Sequence, residues 1–186
     1  AKGHPDFVRI TVNTFCHGVG LWMVAPVYVL YYVRQLGAAE GWISLNILVA
    51  NVAPIAGYLL WQRVVERRGE NYALKWAMTF IGFYPLLVGL TPALAIIPVW
   101  TALNGIVAAG VNLSHFNMLL KVSPDGERAN YLAVYTTICN AGAFVMPLVG
   151  VWLVDLFGYA PVLVAGGVLC ILGSSAFRWN ALRTPD

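Results

Sequence analysis

Residues 93–120 read ALAIIPVWTALNGIVAAGVNLSHFNMLL and contain no Asp, Glu, Lys or Arg. Since roughly 20 apolar residues cross the hydrocarbon core of a bilayer as a helix, this stretch predicts a transmembrane helix. A helix satisfies its own backbone hydrogen bonds in lipid, and the stretch is too long and too rich in glycine for a barrel strand. Its interior nevertheless carries Asn104, Asn112, His115 and Asn117. Polar side chains are costly in lipid, so their positions indicate function.

Five more stretches of the same character occur along the chain. The six predicted spans are residues 7–33, 41–61, 73–90, 93–120, 130–154 and 160–179. The composition agrees, because 60% of the 186 residues are hydrophobic and 10% are charged, whereas a soluble domain has about 25% charged residues. The sequence therefore predicts an all-α integral membrane protein, with six transmembrane helices forming a single domain over residues 1–186.

The segments between the spans are short. They cover residues 34–40, 62–72, 91–92, 121–129 and 155–159. None has room for a soluble domain, which argues against an enzyme with a water-soluble site. The net charge of +3 is not a nucleic-acid signal in a chain of this hydrophobicity. The first span lacks a basic leading region and a small-residue cleavage site, so we expect no removable signal peptide.

Basic residues predict the orientation. An even number of spans places the two termini and the second and fourth connections on one side. Ten of the eleven basic residues belong to that side: Lys2, Arg9, Arg63, Arg67, Arg68, Lys75, Lys121, Arg128, Arg178 and Arg183, whereas Arg34 belongs to the other. By the positive-inside rule, both termini are predicted to be cytoplasmic, in a multi-pass protein of the cell inner membrane. Six of the seven tryptophans fall near predicted span ends, as aromatic belts require.

The polar residues inside the spans recur with a period of three helices. The first and fourth spans carry the largest polar load, whereas the interiors of the third and sixth have no Asn, Gln, His or charged residue and are predicted to face lipid. Because neighbouring spans run in opposite directions, a repeat of three helices must be inverted. The sequence thus predicts two inverted three-helix repeats, residues 7–90 and 93–179, a building unit of many secondary transporters.

Spacing suggests which polar residues line a pathway. Asn13 and His17 are four residues apart on one face of the first span, and Asn104, Asn112 and His115 share a face of the fourth. With Asn140 of the fifth span, they form the predicted substrate pathway. The alternative is that these amides and imidazoles only join helices by hydrogen bonds.

The predicted spans contain few residues that could couple transport to protons or bind a metal. No Asp or Glu lies at mid-membrane depth, so a proton-coupling carboxylate would come from another polypeptide or from a missing segment. Within this chain only His17 and His115 offer an unperturbed pKa near 6.5. The three cysteines, Cys16, Cys139 and Cys170, have no metal-ligand spacing and are interpreted as structural thiols. No metal or cofactor is predicted.

Residues 57–69, GYLLWQRVVERRG, resemble the cytoplasmic loop signature of the major facilitator superfamily, Gly-x-Leu-Ala-Asp-Arg-x-Gly-Arg-Arg. Glu66 stands at the Asp position, Arg67 at the first Arg and Gly69 at the second Gly, with Arg68 between them. The segment departs from the pattern at Gln62, Glu70 and Asn71. A tight turn between helices needs glycine, and an acid beside arginine predicts charge pairs that latch the cytoplasmic helix ends.

The resemblance extends over the chain, through residues 25–37, 42–45, 84–92 and 147–150, and is closest to the C-terminal half of bacterial members. Transporters of that family have two six-helix halves with the substrate path between them. The resemblance therefore implies alternating access for a small solute, with the first and fourth spans lining the cavity. The second six-helix body is then either another copy of this chain, a separate chain or a missing N-terminal half.

A different class of function fits some of the same features. In a non-transporting accessory subunit of a larger membrane complex, the transporter-like fold would serve only as a packing surface. His17 or His115 would then be candidates to ligate a haem or a chlorophyll-like pigment. An intramembrane enzyme is disfavoured, because no Ser/His, Asp/Asp or zinc-type spacing occurs in the spans.

Overall fold

The computed structural model describes residues 5–124 and 126–179. The described chain is helical, and its elements are α1 (Pro5–Leu30), α2 (Glu40–Arg68), α3 (Glu70–Ile81), α4 (Phe83–Leu90), α5 (Ile97–Val122), α6 (Arg128–Phe157) and α7 (Tyr159–Trp179). A π-helical turn, Tyr31–Gln35, continues α1. The predicted positions of the two termini, with Lys2 and Arg183, lie outside the described residues.

The helices confirm an all-helical, multi-pass membrane fold. Five helical stretches are long and apolar enough to cross a bilayer, and the apolar part of α7, Tyr159–Ser175, is somewhat shorter. The third span is made of α3 and α4, which meet at Gly82. The fourth begins four residues later than predicted, at Ile97, because residues 91–96 are not helical. Trp100 Nε1 of α5 donates to Thr91 Oγ1 of this segment at 3.1 Å.

Two predicted connections, residues 62–72 and 155–159, are each a single glycine in the structure. Residues 62–72 were expected to form a loop, but α2 continues to Arg68 and α3 begins at Glu70, so Gly69 alone separates them. Gly69 has φ +80° and ψ 161°, a conformation that only glycine adopts readily. Gly158 alone separates α6 from α7 in the same way, with φ +83° and ψ 171°. The second and third spans of each repeat are therefore joined by the same one-residue turn.

A short motif also occurs once in each repeat. Pro54-Ile-Ala-Gly57 lies in α2, and Pro147-Leu-Val-Gly150 lies in α6. A Cβ atom on Gly57 would lie 2.6 Å from the backbone oxygen of Ile106 in α5, and a Cβ on Gly150 would collide with the backbone oxygen of Met23 in α1. Each glycine therefore lets the second span of one repeat approach the first span of the other.

The packing of whole helices follows the same rule. α1 packs mainly on α6 and α7, while α5 packs mainly on α2 and α3. The first span of each predicted repeat thus contacts the second and third spans of the other. The third and sixth spans pack on each other through α4 and α7. Each still presents an apolar outer face, with Phe83 on α4 and Leu172 on α7 exposed.

The core has a polar layer between two apolar clusters. One cluster includes Met23, Val27, Tyr31, Val88, Ile97 and Leu163, and the other includes Phe7, Ile10, Leu74, Met78, Met118 and Phe177. Between them along the helices lie the buried side chains of Asn13, His17, Ser114 and Ser174. In this layer Ser174 Oγ lies 3.3 Å from Thr79 Oγ1 of α3 and donates to the backbone oxygen of Ile171 at 2.7 Å. The interior therefore has hydrogen-bonding groups near the middle of the spans.

The glycine contacts give a test of the repeat packing. We expect Gly57→Ala and Gly150→Ala each to lower the free energy of unfolding in detergent by about 1–3 kcal/mol, because the added methyl group meets backbone that cannot rotate away. Gly41→Ala is the matched control, since a Cβ there meets no atom within 4 Å. Unchanged stability of both core variants, measured by thermal unfolding, would contradict this packing.

Candidate functional site

Three helices meet at His115, which lies on α5. Its Nε2 atom is 2.8 Å from Thr14 Oγ1 of α1 and 3.4 Å from Tyr135 Oη of α6. The imidazole and the Tyr135 ring also pack together, with 5.6 Å between centroids. Because α1 belongs to the first repeat and α5 and α6 to the second, this group of hydrogen-bonding side chains joins the two repeats. We call His115, Thr14 and Tyr135 the histidine bridge.

Exposed amides lie on two of the helices that form the bridge. Asn112 is one turn before His115 on α5, and Asn140 is on α6 after Tyr135; both side chains are exposed, whereas His115 is half-buried. Thr137 is exposed as well, but its hydroxyl donates to the backbone oxygen of Ala133 at 2.8 Å and is satisfied within its own helix. The amides are therefore available to a solute, to water or to another protein body.

Asn13 and His17 have a different environment. Both are buried, with 2% and 3% of their surface exposed. His17 Nδ1 is 3.1 Å from the backbone oxygen of Cys170 in α7, and the Cys170 thiol donates to the backbone oxygen of His17 at 3.5 Å. His17 Nε2 is enclosed without a hydrogen-bond partner among the described residues. These contacts direct His17 toward α7.

Asn104 lies in a third place. It lines a cavity of about 260 Å³ between the third and fourth spans, together with Phe83, Tyr84, Leu87 and Trp100. Tyr84 Oη lies 3.1 Å from Thr101 Oγ1 beside this cavity. Although helical periodicity puts Asn104 and His115 on similar faces of α5, they contact different neighbouring helices. The six predicted pathway residues thus occupy three separate environments.

The loop motif has a different structure from the predicted one. Glu66, Arg67 and Arg68 lie in the last turns of α2, and Gln62 Nε2 donates to Glu66 Oε1 at 3.1 Å. Among the described side chains, Glu66 forms no ion pair.

Glu70, which departs from the motif, makes the charge pair at this end of the bundle. Its Oε2 atom is 2.7 Å from Lys121 Nζ of α5, and Asn117 Nδ2 donates to its Oε1 atom at 3.0 Å. The pair joins the start of α3 to the end of α5, and so links the two repeats at a second level.

Sequence reasoning did not select Thr14, Tyr135 or Glu70. The search for pathway residues considered amides, imidazoles and charges, but hydroxyl-bearing residues are common in membrane helices and give no signal of their own. Thr14 is adjacent to Asn13 in the sequence, and the direction in which each side chain leaves α1 decides which of the two contacts His115. Glu70 was read as a departure from a motif. A search for partners of the basic residue Lys121 at the same membrane level would have found it.

Comparison with protein families gives one match. The family described as Major Facilitator Superfamily matches residues 10–186, which is more than nine-tenths of the chain. A search of the curated proteins finds no match. The matched region contains every helix from the second turn of α1 onward, and therefore the whole histidine bridge.

A double-mutant cycle tests the bridge. For Thr14→Val and His115→Leu, we expect a coupling energy near 0.6 kcal/mol and at most about 1.7 kcal/mol, as found for hydrogen bonds between membrane helices. The measurement is the unfolding free energy of the four proteins in detergent. In the matched cycle, Thr137→Val with His115→Leu should show no coupling, because Thr137 bonds within its own helix. Equal coupling in the two cycles would exclude a specific Thr14–His115 contact.

Proposed function

The chain belongs to the Major Facilitator Superfamily, a family of membrane transporters, and on this premise we propose that it forms one six-helix half of a secondary active transporter. It corresponds in this proposal to the C-terminal half. A second six-helix body completes the solute path, and the two bodies rock against each other to expose that path alternately to each side of the membrane. The second body is another copy, a separate chain or an N-terminal half.

The exposed faces of α2 and α6 support a second body. In α2, only Asn46 and Gly57 are buried, and in α6, only Gly142, Gly150 and Val154 are buried. The two helices are equivalent members of the two repeats, so the exposed surface is related by the internal symmetry. A second body with the same fold would cover both helices in one interface.

The exposed amides are the observation that carries the proposal. Lipid would suffice to cover the apolar side chains of α2 and α6, but it offers no hydrogen bonds to Asn112 and Asn140. Asn51 is a useful contrast, because its Nδ2 donates to the backbone oxygen of Ile47 at 2.8 Å and so has one partner within its own helix. The region around Asn112, Asn140 and His115 therefore fits a water-filled cavity better than a lipid surface.

Each predicted pathway residue has a role in this mechanism. Asn112, Asn140 and His115 offer hydrogen bonds to a small polar solute at the face turned toward the second body. The histidine bridge holds α1 against α5 and α6. The buried Asn13 and His17 belong to the polar layer of the core and help to hold the helices together. Asn104 contributes from the cavity between the third and fourth spans. A carboxylate that couples transport to protons would come from the second body.

The proposed orientation places both termini and the Glu70–Lys121 pair at the cytoplasmic side of the cell inner membrane. The motif helix end, with Arg67 and Arg68, lies at the same level of the bundle as that pair. In the rocking motion, the pair keeps the start of α3 and the end of α5 together, so that the six helices of this half move as one body.

Cysteine labelling tests whether the amides face water. In a chain whose three native cysteines are replaced by alanine, we expect Asn112→Cys and Asn140→Cys to react with a membrane-impermeant maleimide at least about tenfold faster than Leu172→Cys. Thiolates form in water but not in lipid, and Leu172, with 61% of its surface exposed, lies on the apolar outer face of α7. Slow reaction at all three positions would contradict a water-filled path.

The mass of the purified assembly separates transport from an accessory role. A half-transporter is expected to elute from gentle purification with one further six-helix body, and without visible absorbance. A fixed stoichiometry within a large complex, or a pigment band that His17→Leu or His115→Leu removes, would instead identify an accessory subunit.

A further inference from the structure

A continuous groove runs between α2 and α3, outside the proposed solute path. Its first part has a volume of about 290 Å³ and is lined by Arg63, Val64, Arg67, Arg68 and Tyr72. Its second part has a volume of about 350 Å³ and is lined by Trp61, Val64, Tyr72, Trp76 and Phe80. The two parts share Val64 and Tyr72, so a basic chamber at the helix ends opens directly into an aromatic one.

The basic chamber carries uncompensated positive charge. The side chains of Arg63, Arg67 and Arg68 are exposed, and none of them belongs to the ion pairs found among the described residues. Arg68 Nη1 donates to Tyr72 Oη at 2.7 Å, and its guanidinium lies 4.9 Å from the centre of the Tyr72 ring. This contact fixes one wall of the chamber and leaves the guanidinium charge in place.

The nearby carboxylates do not neutralise the chamber. Glu66 accepts a hydrogen bond from Gln62, on a face of α2 next to the one that carries Arg63 and Arg67. Glu70 is paired with Lys121 of α5. Among the described residues, three guanidinium groups within six residues of one helix end thus have no anionic partner, and the end of a membrane-spanning helix is where lipid phosphates are expected.

The aromatic chamber continues along α3 toward the middle of the membrane. The rings of Tyr72, Trp76 and Phe80 are one turn apart, with centroid distances of 6.2 Å and 5.6 Å. Trp76 and Phe80 are 38% and 44% exposed. On the opposite wall, Trp61 is held by a hydrogen bond from its Nε1 atom to the backbone oxygen of Ile106 at 3.0 Å. This part of the groove is therefore walled by aromatic rings from both helices.

We propose that this groove binds an anionic phospholipid, with the phosphate on Arg63, Arg67 and Arg68 and an acyl chain along Trp76 and Phe80. A free phosphate would occupy only the basic chamber, and an uncharged lipid would occupy only the aromatic one. One anionic lipid fits both chambers, because its phosphate lies at the helix ends and its acyl chain extends toward the middle of the membrane. Basic pockets between membrane helices on the cytoplasmic side suit such head groups. The site lies on the outer side of α2 and α3 and is separate from the solute path.

Quenching of tryptophan fluorescence tests the proposal, because bromine on an acyl chain quenches nearby indole rings. The full chain is reconstituted in phosphatidylcholine bilayers that contain a small fraction of either brominated phosphatidylglycerol or brominated phosphatidylcholine. We expect stronger quenching by the brominated phosphatidylglycerol at equal mole fraction. Trp76→Phe should remove part of that excess, since it keeps an aromatic wall but removes one of the two indole reporters of the chamber, and Trp61 reports the rest.

Matched charge variants identify the head-group site. Arg63→Gln with Arg67→Gln should lower the preference for phosphatidylglycerol over phosphatidylcholine by roughly 25-fold, at about fivefold for each basic residue near an anionic lipid. The control is Arg34→Gln with Lys75→Gln, which removes the same charge from residues that do not line the basic chamber. Thermal unfolding of both double variants verifies that they remain folded.

Three results would overturn the proposal. They are equal quenching by the two brominated lipids, an equal loss of preference in the two double variants, and full displacement of the lipid by inorganic phosphate at constant ionic strength. The last result would assign the basic chamber to a soluble anion. An excess of quenching that only the Arg63 and Arg67 variant removes would support the phospholipid site whether or not the half-transporter proposal holds.

Discussion

The structure depends on close approach between the two repeats at Gly57 and Gly150. Lipid tails are as apolar as the helix surfaces, so helix association in a membrane relies on tight packing and on hydrogen bonds between helices. The two glycines bring the backbone of α2 against α5 and that of α6 against α1. Glycine allows the same close approach between α1 and α7, where a Cβ atom on Gly20 would lie 2.5 Å from the backbone oxygen of Gly166.

The same constraint explains where the polar side chains lie. Within the bundle, two side chains between the apolar clusters contact polar atoms of other helices: His17 Nδ1 lies 3.1 Å from the backbone oxygen of Cys170, and Ser174 Oγ lies 3.3 Å from Thr79 Oγ1. At the faces of α5 and α6, Asn112 and Asn140 remain exposed. His115 lies between the two groups and bonds Thr14. His115 therefore lies between the buried polar side chains of the interior and the exposed amides of α5 and α6.

The charged residues at the basic end of the bundle have two roles: one pair joins helices, and three arginines line the groove between α2 and α3. Glu70 and Lys121 compensate each other and join α3 to α5, while Arg63, Arg67 and Arg68 form no ion pair with the described residues and lie beside the aromatic groove. The short segment from Arg63 to Glu70 thus contributes both to the contact with α5 and to the groove between α2 and α3. Gly69 makes this division possible, because a one-residue turn places Glu70 immediately after α2 but pointing toward α5.

The sequence by itself determined the all-helical membrane class, because hydrophobic length is a local property of the chain, and the motif at residues 57–69 indicated the family that the comparison shows. It also contained the repeated Pro-x-x-Gly motif at Gly57 and Gly150, whose meaning is visible only when each glycine is seen against a backbone oxygen. Tertiary structure decided which polar residues meet. Asn13 and Thr14 are adjacent in the sequence, yet one is buried in the core and the other bonds His115, because the direction of each side chain depends on how helices rotate against one another when they pack.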